Sequence, residues 1–270
     1  METPLSEMTA MILCGGRGTR LRDVTEILPK PMVPVGEQPI VWHIMKCYAA
    51  FGVHKFILCL GYKREAFVDY FMNYHMRTAD ATITLGHEPN VRFHGESGES
   101  GWEVTLAGTG LDTMTGGRVT RAAKYLPPDA EHFFLTYGDG LADVDISALY
   151  RKHLEGGKLL TITAVHPEAR FGEMQFDGDR VLGFAEKPPQ AGGYISGGFM
   201  AVDRRFLDRY LGDGEDVFFE RRPMEQCAAD GEMRVYRHEG FWQCMDNRRE
   251  YDLLNQLWAS GHAPWTRYWK

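Results

Sequence analysis

Apolar and polar positions in this chain follow two rhythms. Short, nearly unbroken apolar runs occur at TAMILC (residues 9–14), KFILCL (55–60), HFFLTY (132–137) and LLTITAV (159–165). Between them, apolar residues recur every three or four positions. The runs predict buried strands and the spaced stretches predict amphipathic helices. Pro39 opens one such helix, with Ile40, Ile44, Tyr48 and Phe51 on one face and Gly52 as its stop. Ala66, Phe67, Tyr70, Phe71 and Tyr74 mark the next. Asp145 predicts the N-cap of a third, with Ile146, Leu149, Tyr150, His153 and Leu154 inward and Gly156-Gly157 at its end. Ala81 to Leu85 reads as a further strand, followed by a loop-rich insertion around FHGESGESG that closes in EVTLAG.

Beyond residue 165 the texture changes. Segments near 173–176, 181–185 and 197–202 are short, strand-like and punctuated by glycine, as in hairpins of a mixed sheet. Helices are predicted near 203–211 and 217–230, then a strand at 233–237 and a terminal helix with Tyr251, Leu254, Leu257 and Trp258 inward. The alternation predicts an α/β fold, a doubly wound mixed sheet, with ligands outside the carboxyl ends of its strands. One domain of 270 residues is expected, divided at about 9–165, 166–246 and 247–270, with the middle part smaller and β-rich.

Composition narrows the function. Net charge is −7 with no Lys/Arg cluster, which argues against nucleic acid as a partner. No apolar run approaches the ~20 residues that cross a bilayer, so no membrane role is expected. The start of the chain lacks a cationic stretch followed by an apolar one, and the five scattered cysteines form no C-x-x-C. A cytoplasmic protein is expected.

The candidate chemistry lies in four clusters. The first is LCGGRGTRLRDVTEILPKPMVPVGEQPI, residues 13–40. A glycine-rich turn after a strand lets main-chain amides approach a phosphate, and Arg20 and Lys30 bracket it with positive charge. Leu21 stands where a dinucleotide fingerprint needs its third glycine, and no Gly-Lys-Ser/Thr makes a P-loop. The second is Tyr137-Gly138-Asp139-Gly140, together with Asp246 in CMD. A carboxylate at a strand end suits a hard cation, but an Asx turn at Asp139 and a helix N-cap at Asp246 explain the residues equally well. The third is Glu186-Lys187-Pro188, which as a dipeptide is also a common surface turn. The fourth runs from Thr109 to Arg118 and ends in TGGR, suited to reading a base or phosphate, or simply to starting a helix.

The block GGRGTRL…LPKPMVPVG…PI resembles the signature of the sugar-1-phosphate nucleotidyltransferases (NDP-sugar pyrophosphorylases). Similarity extends over nearly the whole length through VWHIMKCYAAFGVHKFILCLGYK, TLAGTGLDTMTGGRVTR, FLTYGDGLADVDI, RFGEM, FAEKP, SGGFMAVD and GFWQCMDNRREYDLLNQLW. The resemblance implies a Rossmann-like sheet of the nucleotide-diphospho-sugar transferase type. Its substrates would be a nucleoside triphosphate, with CTP favoured, and a sugar 1-phosphate, with glucose 1-phosphate favoured. The stretch from Thr109 to Arg118, with the insertion before it, is what points to cytidine.

By the same resemblance Gly15, Gly16, Gly18, Thr19, Arg20, Lys30, Thr109, Arg118 and Gly138 would bind the nucleotide, and Asp139 and Asp246 would hold Mg²⁺. Gly172, Glu186, Lys187, Ser196 and Gly197 would bind the sugar phosphate. Catalysis would fall to Arg20, Lys30, Asp139 and Lys187. Ser196 departs from the asparagine expected before Gly-Gly-Phe; it reaches less far, so the sugar pocket could be looser. The alternatives are the same chemistry with dTTP, UTP or another sugar 1-phosphate, or a catalytically silent regulatory member. Relatives of this kind usually form symmetric assemblies, so a homo-oligomer is expected.

Overall fold

The structure, a computed structural model, describes residues 3–18, 27–87, 90–95, 98–167, 173–177, 180–185, 193–212 and 214–269. Fifteen strands are formed among them. In chain order they are β1 (Thr9–Leu13), β2 (Pro34–Val35), β3 (Gln38–Pro39), β4 (Lys55–Leu60), β5 (Asp80–Thr84), β6 (Asn90–His94), β7 (Glu103–Gly108), β8 (His132–Tyr137), β9 (Gly140–Ala142), β10 (Leu160–Val165), β11 (Glu173–Asp177), β12 (Arg180–Ala185), β13 (Ile195–Asp203), β14 (Met233–His238) and β15 (Trp242–Cys244). The α-helices are α1 (Ile40–Ala49), α2 (Arg64–Met72), α3 (Tyr74–Thr78), α4 (Thr115–Ala122), α5 (Ile146–Gly156), α6 (Arg222–Ala229) and α7 (Arg248–Ala259).

Seven strands form one sheet in the order β14-β10-β13-β8-β1-β4-β7. All pairings are parallel except those of β13, which runs against both β10 and β8. The chain leaves β1 for β4 on one side and returns later to place β8 on the other. This makes β1 the point where the winding reverses, and in such sheets the crevice at the carboxyl ends of the flanking strands receives ligands. Alternate residues supply the two faces. Ala10, Ile12, Phe56, Leu58, Phe134 and Ala201 pack under α1 and α5, while Met11, Leu13, Ile57, Cys59, Leu135 and Met200 pack under α4 and α6. Both faces are covered, which is why these runs are mainly apolar and do not alternate.

The expected caps are present. Asp145 Oδ1 accepts from the Ala148 amide at 2.8 Å, and Gly157 ends α5 with φ +56°. Three regions add detail to the elements expected from the sequence. The strand predicted at Ala81–Leu85 forms as β5, but it pairs with β6 in a separate hairpin whose strand residues are all exposed. EVTLAG joins the seven-stranded sheet instead, as its edge strand β7. The helix predicted at 203–211 forms over 205–211, its last five residues, Leu207–Leu211, in a π-helical turn, while Asp203 still belongs to β13. The helix predicted from 217 begins at Arg222, because the Val217 carbonyl accepts from the Gly116 and Gly117 amides and holds that stretch across the start of α4. Among the described residues no helix is long and apolar enough to cross a membrane.

Candidate active site

A cavity of about 480 Å³ opens where β1 and β8 end. Its floor is the turn Gly15 to Gly18 after β1, and one wall is Gly138-Asp139 after β8. Gly16 has open space where a Cβ would stand, so its main chain faces the cavity directly. Gly18 has φ +60°, a conformation that only glycine adopts without strain. Gly15 is glycine for another reason: a Cβ there would overlap the Arg118 guanidinium.

Lys30 follows Pro29 and starts a short 3₁₀ turn, Lys30–Met32, that is buried throughout. Its ammonium reaches Asp139 Oδ2 at 2.6 Å and Asp246 Oδ1 at 2.5 Å. Burial alone would lower the lysine pKa. The charges and hydrogen bonds of Asp139 and Asp246 outweigh that effect and raise it above the usual value, so the ammonium is fixed in its charged form.

The two carboxylates come from opposite halves of the chain and meet through a small ladder. β9 pairs antiparallel with β15, Gly140 opposite Cys244, and the Met245 amide donates to the Asp139 carbonyl at 2.8 Å. Asp246 is not the N-cap of α7. Asn247 takes that role, its Oδ1 accepting from the Glu250 amide at 3.1 Å, which leaves the Asp246 side chain to the cavity. Glu250 is buried and accepts the Asp246 amide at 2.6 Å. The sequence reading missed Glu250, although Asn247-x-x-Glu250 has the spacing of a capping box and would have found it. It also missed Phe218, which lines the cavity but belongs to no motif, and gave no role to Pro31 and Tyr137, which line it from within the motifs.

Among the expected nucleotide residues, Gly15, Gly16, Gly18, Lys30, Arg118 and Gly138 line this cavity with Asp139 and Asp246. Arg118 and Thr109, both expected at the nucleotide, are engaged by the protein's own main chain. Arg118 is buried, and its guanidinium donates to the carbonyls of Leu60, Gly15, Gly110 and Leu111 and to Thr109 Oγ1. Its donors are thereby engaged in tying the Gly15 turn to the 109–111 loop. Thr109 is also buried, with its hydroxyl donating to the Leu60 carbonyl, and it does not line the cavity. Gly138 is required by protein packing, since a Cβ would stand 2.8 Å from Pro31 Cγ.

Ser196 and Gly197 lie in the β13 ladder, Ser196 exposed opposite Ala164 and Gly197 buried against Val165; neither lines the cavity. The Trp242 indole donates to the Gly197 carbonyl at 2.8 Å. Thr19, Arg20, Gly172, Glu186 and Lys187 lie outside the described residues.

No described side chain in the cavity is poised as a nucleophile. Burial, helped by Cys59 and Asp139, raises the Cys14 thiol well above its ordinary range. Burial and the nearby carboxylates Asp246 and Glu250 push Cys244 up to about 12. What the site offers is a fixed cation, two converging carboxylates and a glycine turn that lines the cavity. That equipment suits holding and neutralising phosphate groups.

The donor set can be tested against a divalent ion. Two hard carboxylate oxygens converge on a single cation, the Lys30 ammonium, and both aspartates remain about one-third exposed toward the cavity (32% and 30%). Oxygen donors of this kind fit magnesium better than a softer metal.

A profile of the nucleotidyl transferase family matches residues 9–218. Over 258 residues the chain is 43% identical to the glucose-1-phosphate cytidylyltransferase of Salmonella typhi, covering 96% of this chain and 98% of that protein. It is 38% identical over 258 residues to the probable glucose-1-phosphate cytidylyltransferase of Bacillus subtilis, covering 96% of this chain and 99% of that one. The crystal structure of HddC from Yersinia pseudotuberculosis complexed with GMP-PN superposes with a TM-score of 0.64 at 21% identity, covering 93% of this chain and 99% of that chain, and so shares its fold. Enzymes of this family generally work with a divalent metal. With its signature turn at the carboxyl end of β1 and its length matched almost end to end, this chain belongs to the nucleotidyl transferase family.

Proposed function

We propose that the chain transfers a cytidylyl group from CTP to glucose 1-phosphate, giving CDP-glucose and pyrophosphate. The observation that carries the reading is the meeting of Lys30, Asp139 and Asp246 in one cavity beside the Gly15–Gly18 turn. The choice of CTP and glucose 1-phosphate rests on the relatives named cytidylyltransferases.

In this reading a phosphate oxygen of glucose 1-phosphate attacks the α-phosphorus of CTP. The new O–P bond forms as the bond to the β-phosphate oxygen breaks, and pyrophosphate leaves with that electron pair. A phosphate dianion is already nucleophilic at neutral pH, so the absence of an activated thiol from the cavity wall is no obstacle. The task left to the protein is to align two anionic reactants and to offset their charge. The Gly15–Gly18 amides would hold phosphate oxygens, and Lys30 would follow the charge that builds on the departing pyrophosphate.

Asp139 and Asp246 would hold a magnesium ion, which when bound supplies fixed positive charge to phosphate oxygens. Arg20 and Lys187 would add cations from the nucleotide and sugar-phosphate sides, and Glu186 would accept from sugar hydroxyls. Residues 9–165 would form the nucleotide half and 166–246 the sugar-phosphate half.

The test is a panel in which glucose 1-phosphate and magnesium are mixed with CTP, UTP or dTTP. Pyrophosphate release is followed and the product weighed by mass spectrometry. CDP-glucose formed fastest from CTP supports the assignment. Faster turnover of another triphosphate moves the specificity, and no release from any of them points to a silent member.

A further inference from the structure

The Lys30 ammonium stands between the two carboxylates read above as metal ligands, and a divalent ion that binds both would have to share oxygens with it or displace it. The backbone beneath it is fixed: Lys30 sits between Pro29 and Pro31 in a buried turn, so only its four-carbon stem can move. The Lys30 side chain is 11% exposed, whereas the two aspartates open more widely to the cavity.

We propose that Lys30 is the resident counter-ion of the metal seat, bridging Asp139 and Asp246 until a triphosphate draws its ammonium away. The divalent ion would therefore enter as the metal–triphosphate complex and bind poorly alone. This inference rests on the reading of Asp139 and Asp246 as metal ligands. An incoming divalent ion meets a cation already against its ligand oxygens. At such spacing the repulsion is large even in a well-screened protein surface. A triphosphate removes the obstacle by offering Lys30 several anionic oxygens in the same cavity, which it can reach by rotating its stem. Nucleotide and metal then bind with positive coupling, because each relieves what hinders the other.

The experiment titrates Mn²⁺ into nucleotide-free protein and reads the free ion by electron paramagnetic resonance, for the natural chain and for Lys30→Met. The variant is expected to bind Mn²⁺ at least about tenfold more tightly, and a non-hydrolysable CTP analogue should close most of the gap for the natural chain. A second measurement uses the natural chain alone: the analogue with Mn²⁺ should slow acetylation of Lys30, read by peptide mass spectrometry, relative to the free protein, whereas Mn²⁺ alone should leave it unchanged. Equal Mn²⁺ affinity in both chains, with acetylation of Lys30 indifferent to metal and analogue, would overturn the counter-ion role and leave the metal site standing. Should Lys30→Met not fold, the acetylation result decides. If the natural chain takes up no Mn²⁺ even with the analogue, the metal-ligand reading itself falls, and this inference with it.

Discussion

The main-chain carbonyl of Asp139 accepts the amide of Met245 at 2.8 Å, so the two acidic positions of the cavity are joined through the backbone as well as through Lys30. The ladder between β9 and β15 continues that link away from the cavity. On the far side, Glu250 in the first turn of α7 accepts the Asp246 amide. Each carboxylate is thus set by hydrogen bonds to structure that does not itself face the ligand. This is the arrangement a site needs when it works mainly by fixed charge.

Arg118 should prove a structural residue more than a ligand contact. It is a buried guanidinium with no carboxylate among its hydrogen-bond partners, satisfied by carbonyls from two loops. Arg118→Met would strand several of those acceptors and free the Gly15 turn from the 109–111 loop. A loss of about 2–4 kcal/mol in denaturant unfolding is expected, with KM for the nucleotide raised. Unchanged stability with a selective loss of turnover would instead return Arg118 to the ligand.

Gly36→Ala tests the coupling between α7 and the Lys30 segment. Gly36 has φ +63°, its amide donates to Asn255 Oδ1 at 3.0 Å, and a Cβ there would overlap the Trp258 indole. The substitution combines backbone strain with a clash between the β2–β3 turn and α7. Destabilisation of roughly 2 kcal/mol or more is expected by thermal or urea unfolding.

Stability should decline on the acid side. His43 lies in α1 among Trp42, Trp258, Trp265 and Trp269; its Nε2 donates to the Val35 carbonyl at 2.8 Å and its Nδ1 accepts from the Trp265 indole at 3.3 Å. That pairing needs a neutral ring, and burial lowers its pKa from 6.5 to about 4. His153, buried between Thr161 and His132, is lowered to about 4 as well, by burial first and then by His132. A folded-state pKa below the unfolded value means that the unfolded chain takes up protons first. The stabilisation is therefore fully present above pH 6.5 and is lost as pH falls toward 4, at about 1.4 kcal/mol per pH unit for each ring. Urea unfolding between pH 7 and 4 checks this, and His153→Gln should flatten part of the slope.

Much of the fold was legible because the chain states it locally. TAMILC and HFFLTY are apolar at nearly every inner position, which fits strands covered on both faces, and Asp145 and Gly157 mark both ends of α5. The β5–β6 hairpin was harder, since ATITL has the period of a strand but nothing in it says which sheet it joins. The late start of α6 depends on Val217 bonding to glycines about a hundred residues earlier, a contact no local pattern carries. At the site, Lys30, Asp139 and Asp246 were named through the family signature, while their convergence needed the β9–β15 ladder. The carbonyl partners of Arg118 were not legible, because an arginine after two glycines looks the same in sequence whether it faces a ligand or a set of carbonyls.

The central claim is that Asp139 and Asp246 act as one unit in nucleotidyl transfer, and a double-mutant cycle on kcat/KM for pyrophosphate release tests it most directly. Asp139→Asn and Asp246→Asn should each lower the rate by at least about 10²-fold, and the double variant should be little worse than either alone, because the second loss removes a site already broken. Multiplying losses, to roughly 10⁴-fold or beyond, would mean that the two carboxylates serve separate tasks and would contradict the account.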